Sequence, residues 1–170
     1  MKKAVSAILA LLILLSLSAC GPKSFSDLDD DEKAVISAVS LWKPADATDV
    51  SLSGDPVAVY DTIGRSYLFI PVSFTESGAQ RREVLMCSDG WFVEYYSFDV
   101  PLGEIASQNM SADRANQLTE IVRLQLVYSL VQAHGENAVG KNVEGSVMVR
   151  SVSYFDADDL TPILEQSIGK

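Results

Sequence analysis

Histidine occurs once in this 170-residue chain, cysteine only twice, and 13 basic side chains face 23 acidic ones. A lone histidine rules out a multi-histidine zinc centre. The shortage of lysine and arginine leaves a formal net charge of −10, and a surface of that sign repels a phosphate backbone instead of steering it in. Nucleic acid is not an expected partner. The chain also lacks a phosphate-cradling glycine loop, a serine-hydrolase elbow and paired-cysteine metal spacing. No catalytic, cofactor-binding or metal-ligating residue is assigned on this basis, and a non-catalytic protein is favoured over an enzyme.

What is present begins with 48% apolar residues, enough for a packed core in a chain whose length suits one ordinary domain. The first residues have a separate character. Met1-Lys2-Lys3 is a short basic start, followed by an apolar run from Ala4 to Leu17 without a charge, the layout of a secretory signal. At its end Leu17-Ser18-Ala19-Cys20 places a branched apolar residue three before a cysteine and two small residues directly before it.

This ending resembles the lipobox of bacterial lipoproteins, and the resemblance covers this segment alone. It implies diacylglyceryl transfer to the Cys20 thiol, cleavage after Ala19 and retention of Cys20 as the lipidated first residue. A competing reading is an uncleaved transmembrane helix, because the uncharged stretch between Lys3 and Lys23 approaches the roughly 20 residues that span a bilayer. Gly21-Pro22, which end a helix rather than complete it, speak against that reading. Both readings put the globular part outside the cytoplasm, anchored to a membrane. In a Gram-negative envelope Gly21, where a retention signal would have Asp, implies by the same resemblance passage to the outer membrane.

Cleavage would remove Lys2 and Lys3 but no acid, making residues 20–170 still more acidic. Two or three acyl chains hold firmly where one is marginal, at about 0.8 kcal/mol per buried methylene. With Cys20 acylated, Cys87 has no cysteine to pair with, and the fold must rest on its core. Gly21 to Phe25 give a tether of at most about 17 Å, so residues 26–170 are expected to form one domain close to the bilayer.

Within that domain, Ser26-Asp27-Leu28-Asp29 has the form of a helix start, Leu28, Val35, Val39 and Trp42 recur at helical spacing, and Lys43-Pro44 stop it. Val57–Tyr60, Tyr67–Phe74, Val84–Cys87 and Trp91–Phe98 read as strands, separated by turn residues at 61–64, Ser77-Gly78 and Asp89-Gly90. Ser111 caps a predicted long helix over about 112–133, with Ala115, Leu118, Ile121, Val122, Leu126 and Leu130 apolar and Asn116, Glu120 and Arg123 on the wet side. A strand over 147–155 and a short helix opened by Thr161-Pro162 complete an α+β fold, an antiparallel meander packed with an N-terminal, a long and a short C-terminal helix.

A two-residue turn at Asp89-Gly90 fixes the register of its hairpin. Val84, Met86, Trp91, Val93 and Tyr95 then share a core-like face. Leu85, Cys87, Phe92, Tyr96 and Phe98 share the other with Arg81, Glu83 and Glu94. Aromatic rings among charges suit recognition, so Leu85, Phe92, Tyr96 and Phe98 are candidate ligand-binding residues. The competing expectation is that a helix covers this face, since register across Ser77-Gly78 brings Leu68, Ile70, Val72 and Phe74 onto it.

The remaining candidates read more simply as structural. Cys87 lies among carboxylates and reads as an inert apolar residue. His134, before Gly135, suits a helix C-terminus. The acids at 27–32 and at Asp156, Asp158 and Asp159 lack calcium-loop spacing and fit helix caps. Near anionic headgroups the first cluster would push the domain away or gather divalent ions. The expected partners are the bilayer, through Cys20, and an envelope protein or small ligand. The other functional readings are a surface hydrolase using carboxylates, such as Glu83 with Glu94 or Asp61 with nearby acids, and an accessory subunit of a membrane complex.

Overall fold

A strand with apolar side chains on both faces must be covered on both, and β3 (Ser66–Glu76) is such a strand. The computed structural model describes residues 23–88, 91–93 and 111–169, residues 91–93 as backbone alone. In it Leu68, Ile70, Val72 and Phe74 face one side of the sheet, while Tyr67 and Phe69 face the other.

The remaining strands are β1 (Thr48–Leu52), β2 (Val57–Asp61), β4 (Ala79–Ser88), β5 (Trp91–Val93), β6 (Asn142–Val143) and β7 (Val147–Tyr154). All pairings are antiparallel. The order is β5-β4-β3-β2-β7-β6, with β1 also paired to β3. β1 and β2 share one edge of β3, and Pro71 lies between their pairings. The Pro71 carbonyl accepts from Ser53 N at 3.0 Å. An antiparallel residue directs its N–H and C=O to the same side, so the donor that proline lacks falls at this break, where no ladder bond is lost.

On one face α1 (Asp30–Trp42) and α3 (Ala157–Ile168) bury Ile70, Val72, Phe74 and Leu85, with Trp42 meeting the Phe74 ring edge-on at 5.0 Å. On the other, α2 (Ala112–His134) covers Val59, Tyr67, Phe69, Val84 and Met86. The fold is α+β, with the antiparallel sheet and three helices expected from the sequence.

Several local expectations need correction. The N-cap of α1 is Asp29, not Ser26: its carboxylate accepts from Glu32 N at 2.8 Å and Glu32 reaches back to Asp29 N at 2.9 Å. α3 begins at Ala157, ahead of Thr161-Pro162, because Asp156 accepts from Asp158 N at 2.8 Å and from Asp159 N at 3.4 Å. Pro162 therefore lies inside the helix. The buried stripe of α2 is Leu118, Ile121, Leu124, Val127, Tyr128 and Val131, so Val122, Leu126 and Leu130 flank the core instead of centring it. The strands β1 and β6, of five and two residues, are too short for periodicity to single out.

The hairpin geometry agrees with expectation. Ser77 and Gly78 have φ of 51° and 79°, the left-handed pair of a tight two-residue turn. Ser88 pairs with Trp91, Cys87 with Phe92 and Met86 with Val93, the register that a two-residue connection dictates. Asp89-Gly90 and the 94–98 part of the expected strand lie outside the described residues.

Candidate functional site

Small side chains on both sides of the α1–sheet contact leave a cleft of about 320 Å³. Its floor is a cross-strand row, Ala58 opposite Leu68 and Leu68 opposite Cys87. Phe92 holds the next register position of that row. Its wall is the α1 edge formed by Ala34, Ser37, Ala38 and Leu41. Alanine here, where a larger side chain would fill the gap, leaves the space between helix and sheet open. On the adjoining face of the same turns, Val35 and Val39 pack fully against the core.

One end of the cleft is polar. Tyr60 donates its hydroxyl hydrogen bond to Asp31 Oδ2, joining β2 to the first turn of α1. Burial pushes the Tyr60 phenol up to about 12, and the charges of Asp31 and Asp29 act in the same direction. Arg150 lies 5.8 Å from the Tyr60 ring centre and opposes them. The cleft thus has an apolar body and one hydrogen-bonded acid at its end, a layout that can hold a small apolar group and orient a polar one.

The candidate binding residues separate. Leu85 is wholly buried beneath α1 and α3, so helix cover, and not an open face, is its setting. Phe92 is fixed in register beside Cys87, and Tyr96 and Phe98 lie outside the described residues, as does Cys20. Sequence reasoning misses Ala58 and Tyr60, and includes Asp31 only as one of the acids at 27–32. The available signal was the run of small residues at 34, 37 and 38 on α1, which has meaning only once the opposing strand is known.

Cys87 is buried and forms part of the cleft floor. Burial pushes its thiol up to about 11, the reverse of what a nucleophile needs. His134 ends α2, but Gly135 caps the helix through its N–H to Val131 O. The imidazole instead accepts at Nδ1 from Lys141 Nζ, 3.1 Å away.

Asp61, weighed as a catalytic acid, is committed to structure. Its Oδ1 accepts from Ile63 N at 3.0 Å and Arg65 N at 2.8 Å, and its Oδ2 from Arg65 Nε at 2.7 Å and the Tyr67 hydroxyl at 3.3 Å. Burial raises its pKa, but the Arg65 hydrogen bonds and charge prevail and hold the carboxyl below its ordinary range. Arg65 and Arg123 lie 5.8 and 5.5 Å from the Tyr67 ring centre. Arg123 also pairs with Glu120, and both are half-buried, unlike the exposed Asn116 with which the sequence groups them in a wet stripe.

Glu83 has a buried Oε2 with no hydrogen-bond partner among the described residues. Burial pushes its carboxyl up to about 7, opposed by Arg81 and aided by Glu76. It stands outside the cleft lining, and Glu94 lies outside the described residues. Both acidic clusters serve as helix caps and first turns, and no group of three or more potential metal ligands occurs among the described residues. No helix among them is long and apolar enough to cross a membrane.

No family model matches this chain, and no curated protein or solved structure matches it either.

Proposed function

We propose that this chain is a lipid-anchored envelope lipoprotein whose domain works by binding, without catalysis, and that the binding site is the cleft between α1 and the sheet. The anchor rests on Leu17-Ser18-Ala19-Cys20 at the end of an apolar leader. The binding role rests on the cleft itself, about 320 Å³ of mainly apolar space ending at the Tyr60–Asp31 hydrogen bond. That volume accommodates a small apolar ligand or one large side chain of an envelope protein partner. The surrounding chemistry favours holding over turnover: the cleft thiol is kept protonated, and the cleft carboxylate accepts from a phenol that is itself kept neutral.

The test uses N-phenyl-1-naphthylamine, a neutral apolar fluorophore, as the probe. Its emission should rise with the native protein and fall back when Ala38→Phe fills the cleft. Leu41→Phe, which enlarges a side chain at the open rim, should weaken the probe less. Equal emission from native protein and Ala38→Phe, with both shown to be folded by circular dichroism, would remove the cleft as the binding site.

A further inference from the structure

The outer side of α1 is unlike the rest of this acidic surface. From Ala34 to Trp42 no residue is charged; Ala34, Ser37, Ser40 and Leu41 are the exposed ones, while Val35, Ile36 and Val39 belong to the core. The charged residues before them are largely engaged: Asp30 lies 3.8 Å from Lys33, and Glu32 lies 3.4 Å from Lys23. Leu41 is 81% exposed and Phe25 43% exposed, and together with Ser37 and Ser40 they border one shallow hollow. Phe25 is also the described apolar residue nearest in sequence to Cys20. Five residues of extended chain reach at most about 17 Å, so an acylated Cys20 holds this hollow close to the headgroups.

We propose that the uncharged face of α1, with Phe25 beside it, rests on the lipid surface in which Cys20 is anchored, a proposal that depends on the lipoprotein reading given above. Apolar side chains held at an interface enter the headgroup–acyl boundary while charged ones stay in water. The single base of the tether, Lys23, is shared between Glu32 at 3.4 Å and Asp159 at 3.7 Å. It is therefore already neutralised as a contact for anionic lipid, and the acids around it oppose such lipid. A zwitterionic surface fits this face better.

The experiment takes the full, membrane-extracted protein into phosphatidylcholine vesicles, after intact mass has been used to read lipid on Cys20 and loss of residues 1–19. With Cys87→Ser as background, an environment-sensitive fluorophore is attached at Leu41→Cys or at Val139→Cys, an exposed position next to the α2 layer on the opposite side of the sheet. The expected result is a blue shift at position 41 and several-fold stronger quenching by phosphatidylcholine brominated in its acyl chains than at position 139. Lipidated protein with both labels in water overturns the docking alone. A blue shift without bromolipid quenching puts the label in the neighbouring cleft, against a protein or against a second copy, and also overturns it. Unlipidated protein overturns the anchor, and the docking with it.

Discussion

Asp61 and Glu83 are carboxylates displaced in opposite directions, and acid should act on them oppositely. Asp61 is held below the unfolded value of about 3.9. Its stabilisation is complete above that pH and is lost as the pH falls through the folded value. Asp61→Ala, which removes the acceptor shared by two turn amides, should cost about 2 kcal/mol at neutral pH, read as a lower urea midpoint. The deficit relative to native protein should shrink in acid. Glu83, pushed up to about 7, binds its proton more tightly when folded. Native protein should lose stability as pH rises from about 4.5 to 7, and Glu83→Gln should flatten that slope. A slope unchanged in Glu83→Gln would mean that another group titrates there. Cys87, with its thiol at about 11, should react with a disulfide reagent at pH 8 only after denaturation.

Among the elements, α1 has the most to do: its inner side closes the core and its edge walls the cleft. Its start depends on the reciprocal Asp29–Glu32 cap. Asp29→Ala should lower stability by about 1 kcal/mol, measured by urea unfolding. The same loss would loosen the first turn that carries Asp31, so the probe at the Tyr60 end of the cleft should weaken as well. Helix periodicity and turn chemistry made the main elements legible in the sequence. Their edges were less so. Ser26 resembles a cap as well as Asp29 does, and only the carboxylate that meets a free amide decides between them. Thr161-Pro162 resembles a first turn, but the acids upstream of it bond the amides at 158 and 159. For α2, several offset apolar stripes fit one sequence, and the sheet selects the one that meets Tyr67 and Phe69.

For the whole molecule, the decisive test of address is the mass and membrane fraction of native protein against Cys20→Ser. Native protein should carry lipid and sediment with membranes, and the variant should not. Loss of lipid without change in fractionation would point to another anchor. The hairpin registers can be read from the chain alone, because a two-residue turn and a side-chain period of two leave no freedom. The sequence also makes the α+β class legible, since each pattern extends over many residues, and it contains Leu17-Ser18-Ala19-Cys20, on which the proposed address rests. Tertiary structure decided between the two expectations for the second sheet face, which is covered by helices, with Leu85 in the core. It also brought Asp31, Ala38, Ala58 and Tyr60, distant along the chain, around one cleft. A cavity is the space that packing leaves unfilled, and it depends on what each side chain meets across it, which no local pattern encodes.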